Sequence, residues 1–108
     1  MRVLTTARRT PAEPSDTTLF IAADVATADG CAIVADAVRE RLGGIDTIVH
    51  LVGASSAPAG GFAILDDDQW HRALDQNLLP AVRLDRAPLP MMLAQEDGVI
   101  VHITSITA

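Results

Sequence analysis

The sequence predicts an α/β domain built on a parallel sheet. Three observations carry this. Four short apolar, β-branched runs stand at residues 2–6, 17–22, 46–52 and 98–104. The two longer connections between them have helical patterning. The run at 17–22 is apolar on both faces, as buried parallel strands are, and helical crossovers between strands imply helices on both faces of the sheet.

The first run (Val3, Leu4, Thr5, Thr6) leads into residues 8–16, whose two prolines and four charges make a loop. After the second run, Thr27 is placed to cap a helix, with Asp29 in the first turn favoured by the helix dipole. Cys31, Val34, Val38 and Leu42 then share one face. Arg39 and Arg41 fall in the last turn, and Gly43-Gly44 ends the helix. The third run is followed by a glycine- and serine-rich loop at 54–61. Residues 66–95 form a long helical stretch interrupted by Pro80, Pro88 and Pro90. An interior proline costs about 3 kcal/mol, so a broken or kinked helix is expected, continuous only over about 67–79. The Asp66-Asp67-Asp68 run suits the start of that helix and not catalysis.

Hydrophobic residues make up 49% of the chain and charged residues 20%, a globular balance, and 108 residues suffice for one domain. A formal charge of -6 argues against nucleic acid or an anionic membrane as partner. Cys31 is the only cysteine and cannot pair within the chain, so a cytoplasmic setting is expected. No apolar run reaches the roughly 20 residues of a membrane span, and the amino terminus carries no signal-peptide pattern.

In a parallel sheet, ligands bind beyond the carboxyl ends of the strands. Ala7-Arg8, Asp24, Gly53 and Ser105, each just past a strand, are therefore the candidate site positions. His50, His71 and His102 are the histidines. A metal role for them needs a third ligand, and none is spaced for one, so no metal is expected.

Taken in order, the strand ends resemble the classical short-chain dehydrogenase/reductase family. The segment from Ile45 through Asp46, Thr47, Ile48, Val49, His50, Leu51 and Val52 to Gly53 is similar to the family's G-x-x-D-x-L-V-N-N-A-G. His50 and Leu51 stand where the family has two asparagines. Asp24-Val25 matches the D-V pair whose acid meets the adenine amino group. Asn77-Leu78 matches the N-L of the long helix. The run from Gly98 to Ser105 resembles G-x-I-V-N-I-S-S and puts Ser105 on the catalytic serine. Leu89-Pro90-Met91-Met92 suits the family's L-P-x-M turn.

The resemblance implies an incomplete Rossmann-type sheet, holding the second to fifth strands of the family fold, and a partial NAD(P)-binding domain over 1–108. It implies hydride transfer between a nicotinamide and a carbonyl or alcohol carbon. Ser105 and Asn77 then occupy catalytic positions, and Arg8, Arg9, Asp24, Val25 and Gly53 cofactor-binding ones. NAD-preferring members carry an acid after the second strand of the family fold, where this chain has Ala7, Arg8 and Arg9. An arginine there pairs with a 2′-phosphate, which favours NADP(H) over NAD(H). His50 and His102, on adjacent strands, are expected to make structural hydrogen bonds.

The family's tyrosine and lysine have no counterpart, because the eight basic residues are all arginine and there is no tyrosine. The glycine-rich phosphate loop is likewise missing. The expectation is a fragment, or a mis-started product, of an enzyme, inactive by itself. The alternative is a non-catalytic remnant or interaction module that pairs with a full-length relative through the long helix, the same face by which a homo-oligomer would form. The family's strand order 3-2-1-4-5 leaves a gap between this chain's first and third strands. The chain must therefore pair those strands directly, take a strand from a partner, or fold only marginally.

Overall fold

The computed structural model describes residues 1–11, 18–55 and 57–104. Strands β1 (Val3–Ala7) and β2 (Thr18–Ala22) run parallel, with Val3 opposite Thr18 and Ala7 opposite Ala22. The ladder closes with the Ala23 N–H donating to the Ala7 carbonyl at 3.0 Å. Residues 12–17, most of the expected loop and the first residue of the expected second strand, lie outside the described residues.

Helix α1 (Ala28–Ala37) starts as the sequence requires. Thr27 is extended, and its hydroxyl accepts the Gly30 N–H while donating to the Asp24 carbonyl. A Cβ on Gly30 would sit 1.8 Å from that same Asp24 carbonyl oxygen, so only glycine lets the helix close onto the turn after β2. The helix passes into a π-type turn over Val38–Leu42 and stops at Gly43, whose φ of 71° favours glycine. Arg2 donates to the carbonyls of Arg41 and Leu42, at 3.2 and 2.6 Å, and so ties the helix end to the start of β1.

Strands β3 (Thr47–His50) and β4 (Val99–His102) form a second parallel pair, His50 opposite His102. Both are shorter than the apolar runs at 46–52 and 98–104. The pairing ends with the Ile103 N–H on the His50 carbonyl, and the rest of each run continues as loop.

The long helical stretch is three helices: α2 (Asp67–Asn77), α3 (Leu79–Arg86) and α4 (Leu89–Gln95). Of the broken or kinked helix expected, the broken form is the one observed, and the first helix ends at Asn77, two residues short of the expected limit. Pro80 and Pro90 sit in the first turns of α3 and α4, and Pro88 caps α4. A first-turn residue has no intrahelical partner for its N–H, so proline there removes nothing and starts the helix. Asp66 caps α2 by accepting the Gln69 N–H at 2.9 Å.

The core gathers Ala23, Val25, Cys31 and Val34, with Leu4, Ile21 and Leu84 against it. Cys31, Val34 and Val38 are buried on the face the sequence assigns them. The two sheets hold two strands each, ordered β1-β2 and β3-β4, and β1 and β3 do not pair. Of the three outcomes expected for the gap, direct closure is therefore not the one adopted. The accessible surface is 7909 Å², against roughly 5,800 Å² for a folded monomer of this mass. Valines and isoleucines of the second sheet and its loops, among them Val49, Val52, Val99, Ile100 and Ile103, stay exposed.

Candidate functional site

Parallel pairing aligns the carboxyl ends of β1 and β2. Because Ala7 faces Ala22, Arg8 and Arg9 leave β1 beside the point where Asp24 leaves β2. All three are exposed. The Asp24 carboxylate accepts the Ala26 N–H at 3.0 Å, which fixes it at the strand end while leaving it open to solvent. Val25, the expected cofactor residue beside it, turns its side chain into the core, where the Cys31 thiol donates to its carbonyl at 3.2 Å. Only its main chain remains at the strand end.

The second pair of strand ends opens a cleft of about 760 Å³. Gly53, Ala54, Ser55, Asn77 and Thr104 line it, together with Gln76. Asn77, the last residue of α2, clamps the loop after β3. Its Oδ1 accepts the Ala54 N–H at 3.0 Å, and its Nδ2 donates to the carbonyls of Ala54 (2.8 Å) and Ala73 (2.9 Å). Both amide protons are thereby used, and one Oδ1 lone pair is left for a ligand. A Cβ on Gly53 would stand 3.3 Å from Asn77 Oδ1, so this loop and α2 meet closely. Ser105 lies outside the described residues; Thr104, the residue before it, lines the cleft.

The expected residues thus fall into two groups. Arg8, Arg9 and Asp24 stand past the strand ends of the first sheet, and Gly53 and Asn77 line the cleft at the end of the second. Three residues escaped the sequence reading. Gln76 presents a buried side-chain oxygen, unpartnered among the described residues, in the cleft wall. Its place next to Asn77 is the only signal that could have marked it. Asp85 lies between the two strand-end histidines, its Oδ1 2.5 Å from His50 Nε2 and its Oδ2 3.6 Å from His102 Nε2. Spacing along the chain sets no acid beside these histidines, but the fold brings the Asp85 carboxylate to them from α3. The expected structural hydrogen bond of His50 is present, with Asp85. Gln95 donates to the Ile45 carbonyl at 3.0 Å and joins α4 to the entry of β3.

The sequence model of the family described as short chain dehydrogenase matches residues 2–108. The chain belongs to the short-chain dehydrogenase family. YvrD, an oxidoreductase of Bacillus subtilis (strain 168), is 36% identical over 84 residues, which is 78% of this chain and 31% of that protein. This short-chain dehydrogenase chain spans about a third of the length of the curated relatives it matches. L-sorbose reductase from Gluconobacter frateurii, complexed with NADPH and L-sorbose, superposes with a TM-score of 0.81 at 28% identity. That match covers 97% of this chain and 43% of the reductase. The NADH-dependent reductase A1-R′ complexed with NAD gives a TM-score of 0.85 at 20% identity, covering 97% and 49%, a likeness that shows the fold alone. The fold is thus the Rossmann-type α/β architecture of the family. No helix among the described residues is long and apolar enough to cross a membrane.

Proposed function

We propose that this chain carries the adenine side and the substrate-orienting side of an NADP(H)-dependent reductase or dehydrogenase acting on a small carbonyl or alcohol. The observation that carries the reading is the convergence of Gly53, Asn77 and Thr104 on one cleft at the strand ends. A ligand of an α/β sheet binds in that place. Ser105, next in sequence after Thr104, donates its hydroxyl to orient the substrate oxygen. Asn77 is a positioning residue: through Ala54 it holds the loop that walls the site. Asp24 accepts from the adenine amino group, and Gly53 lets the cofactor approach the main chain.

Arg8 and Arg9 offer guanidinium groups to a 2′-phosphate beside Asp24. Among the proteins of similar fold, one is complexed with NADPH and another with NAD. The choice made here therefore rests on the two arginines and not on kinship. When bound, the nicotinamide supplies or accepts the hydride. The sequence holds no tyrosine and no lysine to move the accompanying proton as the family does, and no glycine-rich loop to grip the pyrophosphate. The chain alone is therefore expected to turn over no NADPH. Titration with adenosine 2′,5′-bisphosphate and with AMP isolates the adenine side from both missing parts. The bisphosphate should bind more tightly, and Arg8→Ala with Arg9→Ala should erase the difference. Equal affinity in the unaltered chain overturns the NADP(H) assignment, and hydride transfer by it overturns the inactive reading.

One observation favours a second reading, that of a non-catalytic interaction module. Helix α2 has no buried residue, and Trp70, Leu74 and Leu78, on or just after it, are exposed. A partner covering that helix would bury them. A chain that sediments as a monomer, alone and with a full-length family member, sinks this alternative.

A further inference from the structure

We propose that His50, Asp85 and His102 form a binding site for one divalent transition-metal ion of the zinc class, which clasps β3, β4 and α3 together. His50 and His102 are register partners at the ends of adjacent parallel strands. Their imidazoles are stacked, with centroids 4.5 Å apart and planes within 10°, so one ring must turn about its Cβ–Cγ bond to aim its nitrogen at a shared ion. Asp85 reaches over both from α3 and presents one carboxylate oxygen to each ring. The three residues come from three elements, and one donor atom of each lies within 4.8 Å of the others.

An ion with bonds of about 2.0–2.2 Å holds its donors roughly 3.4 Å apart and at most about 4.3 Å. The widest separation must therefore close by a few tenths of an ångström, and the His50–Asp85 pair, now hydrogen-bonded at 2.5 Å, must part by roughly 1 Å. Two imidazole nitrogens and a carboxylate are the donor set of zinc, cobalt or nickel; calcium and magnesium take all-oxygen shells. Beside the histidines a cavity of about 100 Å³ runs past Asn77 and Thr104. It has room for water to complete the coordination shell. The His50 side chain is 10% exposed and that of His102 48%, so an ion enters from the His102 side.

The placement also gives the ion a structural task. Few apolar side chains are buried in this half of the molecule. A metal bound only by the folded state draws the chain toward that state. The site stands apart from the assignments to Ser105, Arg8 and Arg9 and does not depend on them.

The test is equilibrium dialysis of the full 108-residue chain against zinc, with metal analysis and circular dichroism. Cobalt absorbance in the visible range reports tetrahedral nitrogen and oxygen ligation. One zinc per chain and a higher thermal midpoint are expected. His102→Ala, at a half-exposed position, and Asp85→Asn, which keeps the side chain's shape, should each weaken binding by about 100-fold or more. His71→Ala, on the exposed surface of α2, should bind as the unaltered chain does. Failure of the unaltered chain to bind zinc overturns the site even if the free chain is poorly folded, because binding would itself drive folding. Binding that survives both ligand variants, or is lost with His71, overturns it equally.

Discussion

Strands β1 and β2 with α1 and its last turn contain Ala23, Val25, Cys31, Val34, Ala35, Ala37 and Val38, all buried. Strands β3 and β4 with the three later helices bury Met92, Pro80 and Pro88, and leave Val49, Val99, Ile100, Leu78 and Leu93 exposed. The second half, which holds the larger cleft, is fastened by directional polar links instead. Asn77 grips Ala54, Asp85 holds His50, and Gln95 reaches Ile45. Packing is non-directional and shared among many atoms, whereas each polar link fixes one group to one partner. A site built this way is well oriented locally but contributes little to global stability, since a net hydrogen bond adds only about 1 kcal/mol. The first half is the stable platform, and Leu84, which precedes Asp85 on α3, is an apolar contact by which the second half packs on its core.

The largest effect should come from breaking the platform at its tightest point. Gly30→Ala drives a methyl against the Asp24 carbonyl, which is main chain and cannot swing aside. A loss of roughly 3 kcal/mol in chemical denaturation is expected, within the range of overpacked sites. That is a large share of a total of about 5–15 kcal/mol. Loss of the strand signal from both sheets together would show that the second half depends on the first. A variant within about 0.5 kcal/mol of the unaltered chain would mean that α1 does not seat on the β2 turn as described.

A matched pair of truncations sharpens the contrast directly. Val34 is buried in α1, whereas Val99 in β4 is 52% exposed. Val34→Ala should cost about 2 kcal/mol, and Val99→Ala less than about 0.5 kcal/mol. Equal costs in the two variants would show that Val99 is covered in solution, as it would be if a partner supplied a strand to the second sheet.

Much of this division was legible in the residues. Thr27, Asp29, Cys31, Val34 and Gly43 each follow a local rule of capping, periodicity or left-handed backbone, and α1 forms as those rules require. Whether the prolines kink one helix or begin new ones was not legible, because that depends on where the preceding helix stops. That point, at Leu78, is set by how α2 and α3 pack and not by local preference. Strand ends were overestimated because the apolar runs continue past the last paired residue. Asp85 was invisible since its partner His50 is 35 positions away, a distance that only the parallel pairing of β3 and β4 and the return of α3 close. Arg8, Arg9, Asp24, Gly53 and Asn77 could be singled out as candidates because each lies just past a strand or carries a motif, and topology gathers such positions by itself.

The smallest expected effect concerns the one ionisable side chain within the platform's core. Burial raises the Cys31 thiol above its ordinary value near 9.0; the Arg83 guanidinium pulls it down, and Asp24 adds to the rise. The folded chain therefore keeps the thiol proton at a pH where the unfolded chain has begun to lose it. Its contribution is complete below the unfolded value and declines as pH rises from about 8.5 toward the folded value. Denaturation midpoints should thus fall gently as pH rises past about 8.5. Cys31→Ala should lower the midpoint at neutral pH by leaving a small void and should flatten this alkaline decline. An unchanged slope in the variant would assign the decline to other groups and place the thiol in contact with water. The platform would then be less sealed than its packing shows, and the contrast between the two halves would narrow to one of degree.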